Sequence, residues 1–100
     1  MKALLLILLL VSLNVFSAKV YVSDNRQGSK KVFVTSNRSE ARLLVYFVKD
    51  QNEANKPFLW FKVKDRNLAD MVIFYVKDRN EADLVIYIVT DKNEARVLRK

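Results

Sequence analysis

One short phrase recurs along this chain at almost constant spacing, and so compact a repeat admits few folds. In its cleanest copy, Ile73-Phe74-Tyr75-Val76-Lys77-Asp78-Arg79-Asn80-Glu81-Ala82, four β-branched or aromatic residues precede a polar run. The first four have the composition of a pleated, buried strand. Asp78 and Glu81, three apart, form the acidic variant of a helix N-cap pair. Each copy therefore reads as one strand followed by one helical turn.

Aligned on the capping residue, the copies are anchored by Asp24, Asn37, Asp50, Asp65, Asp78 and Asp91, at spacings of 13, 13, 15, 13 and 13. Three positions later stand Gln27, Glu40, Glu53, Leu68, Glu81 and Glu94. A small residue follows: Gly28, Ala41, Ala54, Ala69, Ala82 and Ala95. Six registers at one period mark a repeat architecture. A 12-residue register that superposes Asn25-Arg26 on Asn37-Arg38 fits the first copy nearly as well, but the 13-residue one keeps Asp24 and Gln27 as a cap pair. The cap side chain is expected to accept from backbone N–H groups of the turn, and the Glu to reach back to the cap's own N–H.

Residues two apart on a strand share a face, so Phe74 and Val76, with their counterparts, are expected to point into the core. Tyr21, Phe47, Trp60 and Tyr75 are then expected to point outward. Both faces are apolar, which implies strands covered on both sides or an aromatic face left partly exposed. Links such as Ala82 to Ile86 are too short for an ordinary parallel crossover. Consecutive strands are therefore expected to be antiparallel, or to alternate between two facing sheets. Asn55-Lys56-Pro57 lengthens the link between the third and fourth copies, and Pro57, lacking a donor, marks a loop or a strand start. The predicted fold class is mainly β with short helical turns, a small α+β domain of six strand–turn repeats of about 13 residues in one compact unit.

Residues 1–17 fall outside the pattern. Met1-Lys2 is a basic start, Ala3 to Leu13 is an apolar run broken only by Ser12, and Val15 and Ser17 stand three and one residues before the expected cut. This is the layout of a signal peptide cleaved after Ser17. A spanning helix would need about 20 apolar residues. Residues 18–100 are then one exported domain, periplasmic or secreted, with no integral span. Losing the leader removes only Lys2 from the formal charge of +7. With no cysteine in the chain, the domain relies on packing, caps and topology rather than disulfides.

Strand–turn units ending in Asp-x-x-Glu-Ala, two sets of three copies, and Leu59-Trp60-Phe61 after the mid-chain insertion resemble the small bacterial septoil-knot proteins. The resemblance covers Ala18 to about Arg96; Gly28 in place of Ala and Leu68 in place of Glu depart from the pattern. It implies a compact β-rich domain whose backbone forms a seven-crossing torus knot, and it carries over no activity and no catalytic residues.

The carboxylate pairs Asp50/Glu53, Asp78/Glu81 and Asp91/Glu94 could in principle serve acid–base or metal chemistry. Capping explains their spacing without remainder. The chain has no His and no Cys, which removes the commonest base, metal ligand and thiol nucleophile. No catalytic residue, cofactor or metal is expected, and the chain is read as a non-enzyme, monomeric, a very stable structural or binding module of the bacterial envelope. The alternative is a basic module for polyanions or glycans. Lys49, Lys64 and Lys77 share one repeat position, and Arg38, Arg66, Arg79 and Lys92 another, so stacked copies would align two rows of cations. Lys49, Lys64, Arg66, Lys77 and Arg79, with Trp60 as a stacking aromatic, are the candidate contacts for an envelope polyanion or glycan. One contiguous positive face would favour binding, and interleaved signs would favour plain solvation.

Overall fold

The computed structural model describes residues 18–98, so the leader expected over residues 1–17 lies outside the described residues. Six strands carry the fold: β1 (Lys19–Val22), β2 (Lys30–Val34), β3 (Leu43–Phe47), β4 (Leu59–Lys62), β5 (Met71–Tyr75) and β6 (Leu84–Ile88). A short β7 (Arg96–Val97) follows. Single 3-10 turns sit at Arg38–Glu40, Gln51–Glu53, Arg66–Leu68, Arg79–Glu81 and Lys92–Glu94. In each of these, the preceding Asn37, Asp50, Asp65, Asp78 or Asp91 has an extended backbone, and its side chain accepts from the N–H two residues on. The mainly β class, the repeats and the capped turns are all present.

The pairing of the strands differs from expectation. The six lie in the order β4-β1-β5-β2-β6-β3, and β3 pairs with β4 again, so the sheet closes into a barrel. Every pair in the ring is parallel; only β7, hydrogen-bonded to the first residues of β3 on the edge away from β6, runs antiparallel. Neighbours in the chain are thus not neighbours in the sheet, except β3 and β4. Each of the other connections steps over one strand, and the second set of three strands fills the gaps left by the first.

Stagger makes such short parallel connections possible. Val34, which ends β2, and Leu43, which begins β3, both sit opposite Ile86. Val22 and Lys30 both face Ile73, Tyr75 and Leu84 both face Val32, and Lys62 and Met71 both face Val20. A connection therefore travels sideways over two strand spacings, about 10 Å, and never back along a strand. An ordinary crossover helix is not needed. The exception is the link from β3 to β4, which steps to the adjacent position and contains Pro57.

In every copy but the first, the interior is also the opposite face from the expected one. Val20, Val32, Val45, Trp60, Ile73 and Ile86, one from each strand, form the buried centre of the barrel. Val22, Leu43, Phe47, Met71 and Leu84 pack against this layer. Inward alternation thus runs through Ile73 and Tyr75, while Phe74 and Val76 lie outside, beneath the crossovers. A second cluster, Ala41, Leu44, Val48, Ala54, Leu59, Val89 and Ala95, seals the outer face with Tyr46, Phe61 and Tyr87. A small residue after the turn is needed there: Ala41, Ala54 and Ala95 are buried within this outer cluster. Sheets of parallel strands are buried on both faces, which is why these strands read as continuous apolar runs.

The first copy follows the 12-residue register. One residue per copy, Ser23, Thr35, Val48, Val63, Val76 and Val89, donates its N–H to the carbonyl of a central-layer residue: Ile73, Ile86, Trp60, Val20, Val32 and Val45 in turn. Ser23 and Thr35 are 12 apart. The side chain that accepts in the first turn is Asn25, bonded by the Gln27 N–H at 2.9 Å, so the cap is Asn25 and not Asp24. Gly28, at φ +73°, is the one left-handed residue among those described.

Candidate functional site

Aligned on the true caps, five of the six copies carry a cation one position after the cap (Arg26, Arg38, Arg66, Arg79 and Lys92), and four carry a carboxylate three positions after it (Glu40, Glu53, Glu81 and Glu94). Around the barrel, the cation of one copy meets the carboxylate of the next. Arg26 pairs with Glu81 at 2.9 Å, Arg79 with Glu40 at 2.8 Å, Arg38 with Glu94 at 2.7 Å and Lys92 with Glu53 at 3.6 Å. These follow the strand order from β1 through β5, β2 and β6 to β3. The glutamates therefore serve a neighbouring copy's cation rather than their own cap's N–H. Arg26 also lies over the Phe74 ring at 6.0 Å, and Arg38 over the Tyr87 ring at 5.8 Å.

The circle breaks in one place. Between β3 and β4 the matching positions hold Gln51 and Leu68, and between β4 and β1 they hold Arg66 and Gly28. A side chain on Gly28 would begin 3.7 Å from Nη2 of Arg66, so the guanidinium reaches to where the missing carboxylate would stand. The two sequence departures, Gly28 and Leu68, thus fall on either side of β4. Leu68 is 61% exposed, the most open of the large apolar side chains among the described residues.

The same arc gathers lysines. Lys49 and Lys64 immediately precede the caps of the third and fourth copies, and pairing of β3 with β4 brings those copies together. Lys62 ends β4 at a position that is apolar in the other strands, and its Nζ lies 5.3 Å from the Phe47 ring centroid. Its sequence signal is a lysine where Val34, Phe47, Tyr75 and Ile88 stand in other copies, joined by Val22 once the first copy is aligned on Asn25. Lys77 belongs to the fifth copy, on the far side of β1, and Asp24 holds the equivalent place between them. Arg79 is engaged with Glu40.

Trp60 is misplaced by the sequence-based expectation. It is 1% exposed, inside the barrel, edge-on to Phe47 at 5.9 Å, with its indole N–H donating to the Pro57 carbonyl at 2.8 Å. Phe47 and Tyr75 also face inward, toward the barrel end where the strands finish. With Val34 and Ile88, Tyr75 leaves an apolar ring partly open there, each at 37–39% exposure. Partial burial raises the Tyr75 phenol above its ordinary 10.0 through desolvation.

Among the described residues no group of three side chains is arranged to hold a metal ion, and no helix is long and apolar enough to cross a membrane. The geometry is that of a small closed parallel barrel, wound in two interleaved sets of three strands and carrying a rim of ion pairs with one gap. The family model described as the 7(1) septoil knot domain matches residues 14–98, and the chain belongs to that family. No curated protein and no solved structure matches it.

Proposed function

We propose that this chain is an exported, non-catalytic binding module of the bacterial envelope or medium, and that it engages an anionic polymer through the arc from β3 to β1. The observation that carries this reading is the coincidence of the rim gap with Lys49, Lys62, Lys64 and Arg66. Elsewhere on the rim the cations alternate with carboxylates, an arrangement that serves solvation. In the gap the cations have Gln51, Leu68 and Gly28 for neighbours at the rim positions. Phosphorylated or acidic glycans are the chemistry such a patch suits, since each cation can neutralise one fixed anion. Residues 1–17 support export, and the interleaved winding supports the knotted path that family membership implies.

The test is binding of the protein to heparin and to a phosphorylated glycan at about 50 and 200 mM salt. Affinity should fall steeply between the two, and Lys49→Glu with Lys64→Glu should remove most of it. Arg38→Glu should change it little, because that cation already faces Glu94. Equal losses from both sets of variants, or no binding at the lower salt, would refute the assignment to this arc.

A further inference from the structure

The opposite end of the barrel, where the strands begin, holds a cleft of about 240 Å³. Its floor and walls are Leu43, Trp60, Met71 and Leu84, with Lys30 and Arg42 as the charged side chains that line it. The hollow has a cause in sequence. At the first inward position β3, β5 and β6 supply Leu43, Met71 and Leu84, whereas β1 is preceded by Ala18 and β2 begins with Lys30. Ala18 is small, and a lysine keeps its ammonium in water while its stem lies along apolar surface. At the far end, the large rings of Phe47 and Tyr75 occupy the corresponding layer. One end of the barrel is therefore filled and the other is hollow.

No carboxylate lines the cleft, and neither Lys30 nor Arg42 takes part in the ion pairs found among the described residues. Both cations stand over a pit that is otherwise apolar. That pairing of features selects a ligand with a tail and an anionic head. The volume lies below the range of about 300–1,000 Å³ typical of drug-sized sites, which limits the tail to one short chain. We infer that this cleft binds a short aliphatic carboxylate, its tail against Leu43, Met71 and Leu84 above Trp60, its head between Lys30 and Arg42. A guanidinium can meet a carboxylate with two parallel N–H donors, and the ammonium adds a point charge. The site is independent of the lysine arc and stands or falls separately.

Trp60 is the only tryptophan in the chain and sits beneath the cleft, so its emission reports occupancy. The protein, purified from its producing cells, would be titrated with octanoate, with 1-octanol as the neutral match and octyltrimethylammonium as the cationic one. Octanoate should produce a saturable change in Trp60 emission, octanol a response about tenfold weaker, and the cation none. Lys30→Gln and Arg42→Gln should each weaken octanoate by about threefold to tenfold, the span between an exposed ion pair and a charged hydrogen bond. Leu84→Phe, which fills the hollow, should abolish the response while far-UV circular dichroism stays native. Methyl shifts on octanoate binding should centre on Leu43, Met71 and Leu84. Equal affinity for octanol, a full octanoate response in the Lys30→Gln/Arg42→Gln double variant, no saturable response from natively folded protein, or shifts centred elsewhere would each overturn the site.

Discussion

Two arcs of the same rim, built from the same repeat, differ in the side chains that face each other across neighbouring copies. From β1 through β5, β2 and β6 to β3, every cation after a cap meets a carboxylate of the next copy. From β3 through β4 back to β1, neither link can form, because Gln51, Leu68 and Gly28 have replaced the partners. The pairs are about half exposed, so each contributes at most about 1 kcal/mol and their loss costs the fold little. What they decide is the surface field. In the paired arc each cation after a cap is matched by a carboxylate, whereas in the open arc Arg66 lacks that partner and shares its two copies with Lys49, Lys62 and Lys64, set against the cap carboxylates Asp50 and Asp65. A repeat protein can thus keep its scaffold in every copy and alter only rim residues to make one sector different.

If the arcs differ only at the rim, the interior beneath them should be equally costly to disturb. Trp60→Ala, under the open arc, and Ile73→Ala, under the paired one, should both lose about 2–5 kcal/mol in denaturant unfolding. A loss below about 1 kcal/mol for Trp60→Ala would mean that the open arc is loosely packed as well as unpaired. Next in size is Gly28→Glu, which supplies the carboxylate Arg66 lacks. The left-handed backbone at φ +73° costs a residue with a Cβ about 1–2 kcal/mol, more than an exposed pair returns. This variant should therefore be less stable than the parent, and a gain in stability would show that Gly28 is replaceable and the gap merely incidental.

Capping should ignore the difference between the arcs, since it is local. Asp65→Ala and Asp78→Ala should each cost about 1 kcal/mol, with equal values within error. Smaller still, Gln51→Arg with Leu68→Glu should extend the circle of pairs by one link. The expected gain is about 0.2–1 kcal/mol in low salt, shrinking at high ionic strength. A gain that persists in high salt would point to something other than the ion pair.

The smallest effect concerns Tyr75, at the end of the barrel where the strands finish. Burial raises its phenol above 10.0, so the folded chain holds that proton more tightly than the unfolded one. Its contribution to stability is fully present below the unfolded value of about 10 and is lost as pH rises through the higher folded value. Stability curves of the parent and of Tyr75→Phe should run parallel below that window and converge or cross above it. Parallel curves throughout would show that the ring at this end is wetter than its burial suggests.

The polar rhythm of the sequence was the more legible half. Asn37, Asp50, Asp65, Asp78 and Asp91 cap their turns as the spacing requires, and the buried alanines follow where a small side chain was needed. In the first copy Asp24 and Asn25 are both competent caps by sequence, and the hydrogen bonds of the fold distinguish them: Ser23 to Ile73, alongside Thr35 to Ile86, and the Gln27 N–H to the Asn25 side chain. Trp60 was misplaced for a different reason. A strand apolar on both faces has no inside by its own pattern, and a shift of one residue exchanges the two faces. Arg38 and Arg79 do not stand free in their row because each meets a carboxylate 56 or 39 residues away in sequence.

By itself, then, the sequence determined what is local: where strands run, where turns are capped, which position must be small, and that six copies share one plan. These follow from backbone conformation and hydrogen bonds within a few residues. The tertiary structure alone decided that the strands are parallel and interleaved, which face closes inward, and which charges meet. Those outcomes depend on stagger between strands far apart in the chain, and stagger is a property of the closed barrel rather than of any one copy.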